Sequence, residues 1–209
     1  MADLWENEPD LEQLRRAHSL LRSNPAQALL ALKALAERGS TMSMLYIGEA
    51  YDEKGAATTD LTRAAEWYSR AADRGSTLGR YKLGRVYLDL ERYGEARQMF
   101  EMGVSENYAP SMNMLGMMYM KGIGINRDVS RARPLFERSA SLGHVFAKRN
   151  LAAIFLRGTF GILQFLRGIY LFQCLKIFLP SCELTHGASG LARSRRLNKG
   201  PVPFSRRLG

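Results

Sequence analysis

Cysteine is nearly absent. The 209-residue chain has two, Cys174 and Cys182, both close to the C-terminus. They cannot staple the body of the protein, which excludes a disulfide-built secreted fold. The opening segment, Met1 to Glu8, is acidic. It lacks the basic n-region, apolar h-region and small-residue cleavage site of a secretory signal peptide, so cytosolic residence is the expectation. A sustained excess of one charge is also missing from most of the chain. The net charge is +10, but residues 1–158 contribute only +3 and residues 159–209 contribute +7. The basic balance belongs to the C-terminal fifth and says little about what the body binds. Apolar residues make up 46% and charged residues 24%, so most of the chain can bury a core. Wholesale disorder is excluded, as is a collagen-like chain despite the 19 glycines.

Catalytic and metal-binding patterns are lacking too. His18, His144 and His186 are isolated from Cys and carboxylate partners, and none has metal-ligand spacing. His144 lies in a turn after Gly143, where a structural role is expected. Cys174 and Cys182 do not form a C-x-x-C pair, and no Ser/His/Asp or Cys/His set can be assembled. Gly122-Ile123-Gly124 is a lone GxG that follows an expected helix, not a strand, so it fails as a phosphate cradle. The expectation is a protein that is not an enzyme and holds no cofactor.

What the chain does have is internal repetition, which sets the fold class. Tyr51, Tyr87, Tyr119 and Phe155 are spaced 36, 32 and 36 residues apart. A small residue precedes each by three: Gly48, Gly84, Gly116 and Ala152. A second set runs in step, with Ala28, Ala64, Ala96 and Ala132 each followed four residues later by Leu32, Tyr68, Phe100 and Phe136. Gly39, Gly75, Asn107 and Gly143 close the units.

Apolar residues at i, i+3, i+4 and i+7 make one stripe per helix. Small residues at fixed points let two helix backbones approach, so that a ring on one fills the space beside the other. The pattern predicts antiparallel pairs at 41–54 with 61–74, 77–90 with 92–106, and 109–121 with 129–142. A helix at 26–38 precedes them, one at 145–158 follows, and an amphipathic helix at 10–22 caps the stack. Asn24-Pro25 starts the 26–38 helix, because proline is tolerated in a first turn. Trp67 and Tyr68 both fall on the apolar side of the best-formed unit. Met112, Met114, Met117, Met118 and Met120 lie within nine residues and cover more than one helix face, so some must leave the core.

The segment 64–75, Ala-Ala-Glu-Trp-Tyr-Ser-Arg-Ala-Ala-Asp-Arg-Gly, with Leu-Gly-Arg-Val-Tyr at 83–87, resembles the Sel1-like repeat. So does 115–128, Leu-Gly-Met-Met-Tyr-Met-Lys-Gly-Ile-Gly-Ile-Asn-Arg-Asp. The unit holding Leu83, Gly84, Tyr87, Ala96 and Phe100 lacks the Gly-x-Gly loop and is spaced like the related tetratricopeptide repeat. Departures are Ala152 and Asn107 where glycine is usual, and the degenerate Gly-Ala-Ala-Thr-Thr that ends the first unit.

The resemblance implies an all-α, right-handed α/α solenoid. The expected organisation is a capping helix at 1–24, the repeats at 25–158, an apolar amphipathic helix at 159–180 and a disordered basic tail at 181–209. Some Sel1-like proteins carry a disulfide in each repeat and are credited with penicillin binding. With no cysteine before Cys174, that property does not transfer.

Residues 160–179 are long enough to span a bilayer. Arg167 near the middle opposes spanning, as do Gln164, Gln173 and Lys176. Two readings stay open: a helix that covers the last repeat, or one that lies in a membrane interface beside the basic tail. The tail's arginines have no interleaved aromatics, so nucleic acid is not an expected partner.

The resemblance implies a cytoplasmic protein-interaction adaptor that takes a partner protein or peptide in a concave groove lined by the first helix of each pair. The alternative is a membrane-associated scaffold held by 160–179 and the tail. With the Leu-Gly dyads as phase marker, the outward groove positions are expected at Leu45, Glu49, Tyr81, Arg85, Asn113, Met117 and Arg149. Each of these is otherwise ordinary surface.

Overall fold

A computed structural model describes residues 8–53, 59–156 and 169–170. The expected segment 159–180, apart from Ile169 and Tyr170, and the tail 181–209 lie outside the described residues. Among the described residues there are nine α-helices and no strands. They are α1 (Leu11–Leu20), α2 (Pro25–Glu37), α3 (Thr41–Asp52), α4 (Leu61–Asp73), α5 (Thr77–Asp89), α6 (Tyr93–Ser105), α7 (Ala109–Lys121), α8 (Val129–Ser141) and α9 (Val145–Leu156). The pairs α3–α4, α5–α6 and α7–α8 stack in order, each second helix packing on the first helix of the next pair. The chain is an all-α repeat solenoid.

Helix starts follow from short polar side chains that accept a free first-turn N–H. Asp10, Asn24, Ser40, Asp60, Ser76 and Asp128 all cap in this way. At Ser40 an upstream carboxylate joins in. Glu8 accepts from the Ser40 hydroxyl and from the Met42 N–H at 2.9 Å, which ties the N-terminal segment to α3. The turns between pairs repeat one closing bond, from Ser40 N–H to Leu35, Ser76 to Ala71, Tyr108 to Gly103 and His144 to Ser139. That bond needs a left-handed residue just before the donor. Asn107 supplies it with φ of 59°, where the other three turns have glycine.

The core forms where a ring meets a residue without a side chain. A Cβ added to Gly48 would lie 2.5 Å from the Tyr68 ring, one on Gly84 2.7 Å from Phe100, and one on Gly116 2.9 Å from Phe136. These distances are shorter than van der Waals contact, so glycine is what lets each pair close. Tyr68, Phe100 and Phe136 are accordingly fully buried. Trp67 is not. One residue along a helix is a rotation of about 100°, which leaves Trp67 half-buried with the Arg70 guanidinium 4.3 Å from its ring centroid. Of the methionine cluster, Met112 and Met118 are buried, while Met114, Met117 and Met120 are half-exposed.

A second device recurs on the tyrosine three residues after each glycine. Arg63 lies over Tyr51 at 5.7 Å and Arg131 over Tyr119 at 5.8 Å, both from the first turn of the pair's second helix. Arg92, the residue before α6, lies 4.4 Å from the Tyr87 ring centroid. At the N-terminal end of the array, α1 buries Leu14 and Ala17 in the core shared by α2, α3 and α4.

Candidate functional site: the shared face of the first helices

Two side-chain links join first helices of neighbouring repeats. Lys82 Nζ on α5 lies 2.9 Å from Glu49 Oε1 on α3. Asn150 Nδ2 on α9 donates to Asn113 Oδ1 on α7 at 2.9 Å. The first helices therefore stand side by side and share a face, with the second helices behind them. In each link one partner sits two residues before the small residue of its own helix (Lys82, Asn150), a position to which sequence reasoning assigned no role. Its signal was available: the side chain at that position is polar in two of the four units, and in a helix pair it looks toward the preceding repeat.

The seven expected groove residues divide into two classes. Leu45 and Asn113, three residues before the small residue, are buried and do not face outward. The first helix of the following repeat packs over that position, and Asn113 spends its carbonyl on Asn150 there. Tyr81, at the same position in α5, is half-buried. Its ring lies 6.2 Å from that of Phe100 and 5.7 Å, edge-on, from that of Tyr108. Arg149 is exposed, with its guanidinium 5.3 Å from the Phe146 ring centroid and no described first helix beyond it.

Glu49, Arg85 and Met117 follow the small residue directly, and all three are half-exposed at equivalent places on α3, α5 and α7. Together they bring a carboxylate, a guanidinium and a thioether onto one face. Below them, burial pushes the Tyr68 phenol far above its ordinary pKa, Asp52 and Glu49 raise it further, and Arg85 opposes the shift. Tyr68 is thus a neutral core group with no acid–base role at working pH.

His144 caps α9. Its Nδ1 accepts the Ala147 N–H at 3.3 Å, and burial lowers its pKa. His18 lies against the Tyr46 ring, with centroids 4.3 Å apart. Among the described residues, no three His, Cys, Asp or Glu side chains gather as a metal set. Among them also, no helix is long and apolar enough to cross a membrane.

The family model for the Sel1 repeat matches residues 41–76, 109–144 and 145–175. Residues 77–108, between the first two matches, are the unit without the Gly-x-Gly loop. Among curated proteins, the chain is 32% identical over 103 residues to the ERAD-associated E3 ubiquitin-protein ligase component HRD3B of Arabidopsis thaliana, covering 48% of this chain and 17% of that protein. It is 32% identical over 127 residues to chitin synthase regulatory factor 4 of Schizosaccharomyces pombe, covering 57% and 20%. The chain thus spans a fifth or less of the length of these relatives.

Among solved structures, c5321, a protective antigen of uropathogenic Escherichia coli with an SLR fold, superposes with a TM-score of 0.69 at 23% identity, over 82% of this chain and 38% of that one. A Sel1 repeat protein from Oxalobacter formigenes gives 0.65 at 18% identity, over 79% and 71%. On this repeat spacing, helix pairing and family match, the chain belongs to the Sel1-like repeat family.

Proposed function

We propose that the chain is a non-catalytic, cytoplasmic adaptor that binds a partner protein or peptide along the shared face of α3, α5 and α7. The observation that carries the reading is the row of Glu49, Arg85 and Met117, equivalent positions on three successive first helices, each half-exposed. A carboxylate and a guanidinium give directed polar contacts to a peptide backbone or side chain, and the thioether adapts to apolar groups. Arg149, in the phase of Tyr81 rather than of this row, is exposed on α9. Tyr81 serves the row from beneath by holding α5 against Phe100 and Tyr108. The relatives' names add support. One is called a component of a ubiquitin ligase and the other a regulatory factor of chitin synthase, roles exercised through another protein.

The test is affinity capture with the full-length chain and its Glu49→Gln/Arg85→Ala form. Capture of the partner is expected to weaken at least tenfold, about 1.4 kcal/mol, with the helical content unchanged. Arg70→Ala with Arg97→Ala, on the second helices, should have little effect. Equal loss from both pairs, or loss from neither, moves the binding surface off the first helices.

A further inference from the structure

The shared face of the first helices changes its chemistry along the array. Residues three and four positions on from Glu49, Arg85 and Met117 lie on the same side of their helices. The resulting sets are Glu49, Asp52 and Glu53 at the end of α3, Arg85, Leu88 and Asp89 on α5, and Met117, Met120 and Lys121 on α7. In every set the first two residues are half-exposed and the third is exposed, so the nine hold equivalent places in successive repeats. Three carboxylates thus give way to a guanidinium with one carboxylate, and then to two thioethers and an ammonium.

The acidic end is unlike the others. Helix α3 contains no lysine or arginine, and Asp52 and Glu53 stand where the helix dipole favours a cation. Lys121 meets that preference on α7. Lys82 pairs with Glu49, and Lys54, next in the chain after Glu53, lies outside the described residues. The arginines over the tyrosines bring no net charge to this face, because Arg63 pairs with Asp60, Arg92 with Glu95 and Arg131 with Asp128.

Beneath the acidic end lies a buried hydroxyl without a hydrogen bond. Tyr68 is 0% exposed, and no described residue is in hydrogen-bonding position to its Oη. Asp52, Glu49 and Arg85 all lie close enough to act on its ionisation. A buried polar atom left unpaired calls for a group that completes its surroundings. Negative surroundings extend to Tyr46, whose pKa is raised by burial first and then by Glu49 and Glu8.

We propose, building on the adaptor reading, that the partner is a peptide segment with lysine or arginine at one end and large apolar side chains at the other. The basic end lies over Glu49, Asp52 and Glu53, and the apolar end over Met117 and Met120. Between them Arg85 donates to a backbone carbonyl of the peptide. Two helix-to-helix steps of roughly 8–10 Å separate α3 from α7. An extended chain at roughly 3.3 Å per residue covers that span in about five or six residues. The chain's net charge of +10 by itself repels such a peptide, so the preference has to come from this local arrangement.

Fluorescence anisotropy with the full-length protein tests this on three labelled peptides. The first joins three Lys/Arg residues to three Leu/Met residues through three Gly/Ser residues. The second has Gln in place of the basic residues, and the third has Ser in place of the apolar ones. The first is expected to bind at least tenfold more tightly than either of the others. Glu53→Lys and Met117→Ser should each weaken it at least fivefold, while Glu101→Lys, the same charge change on α6, should leave it unaltered. Failure of the first peptide to bind, equal binding of the first two, or binding unmoved by Glu53→Lys would overturn the proposal. If Met117→Ser still weakens whichever peptide binds, the face stands and the chemistry assigned to its partner falls. Binding unmoved by both substitutions would remove the face as well.

Discussion

Asn150 and Asn113 form a buried amide pair, Nδ2 to Oδ1 at 2.9 Å, between the first helices of two neighbouring repeats. Such a pair costs more to break than it contributes, because a single substitution leaves its partner buried and unsatisfied. Asn150→Leu is expected to lower stability by about 1–3 kcal/mol in urea unfolding. Asn113→Leu with Asn150→Leu should cost less than the sum of the two single changes. Strict additivity would mean that the pair is not coupled in solution.

The core ring of the first helix pair, α3–α4, is Tyr68, and its neighbour Trp67 is secondary. Tyr68 is fully buried against Gly48, whereas Trp67 is half-buried under Arg70. Tyr68→Ala should therefore cost about 3–5 kcal/mol as a buried aromatic truncation, and Trp67→Ala clearly less. In an array the larger loss should spread to neighbouring repeats. Comparison of the two urea midpoints checks the ranking, and a larger effect at Trp67 would reverse the packing described above.

His144 makes α9 sensitive to pH. Burial lowers its pKa below the ordinary value, so the folded chain binds that proton less readily than the unfolded chain. Its contribution is complete above the unfolded value of about 6.5 and is lost as pH falls through the lower folded value. Protonation also removes the Nδ1 acceptor that caps α9. Stability measured from pH 7.5 to 5 should fall through this window, and His144→Asn, a cap that does not titrate, should flatten that part of the curve. An unchanged slope in the variant would assign the pH dependence elsewhere.

Much of this architecture was legible before any coordinates, for a physical reason. The residues that define the helix pairs, such as Gly84 with Phe100 and Gly116 with Phe136, touch each other, so their spacing in sequence is the contact itself repeated. The expected ranges 77–90 and 109–121 accordingly meet helices at Thr77–Asp89 and Ala109–Lys121. The groove positions were less legible. Leu45, Tyr81, Asn113 and Arg149 share a phase, yet two are buried, one half-buried and one exposed. What covers that phase is the next repeat, and its side chains are not part of the local pattern. Trp67 lies on the apolar side and packs against the core, but it is only half-buried, because of the two adjacent aromatics only Tyr68 points at the glycine.

The central claim is that the first helices carry the binding face, and the most direct measurement is hydrogen exchange of the full-length chain with and without its captured partner. The account predicts slower exchange in α3, α5 and α7, centred on the turns that hold Glu49, Arg85 and Met117, with α4, α6 and α8 unchanged. Protection gained on α4, α6 and α8 while the first helices stay as they were would contradict it.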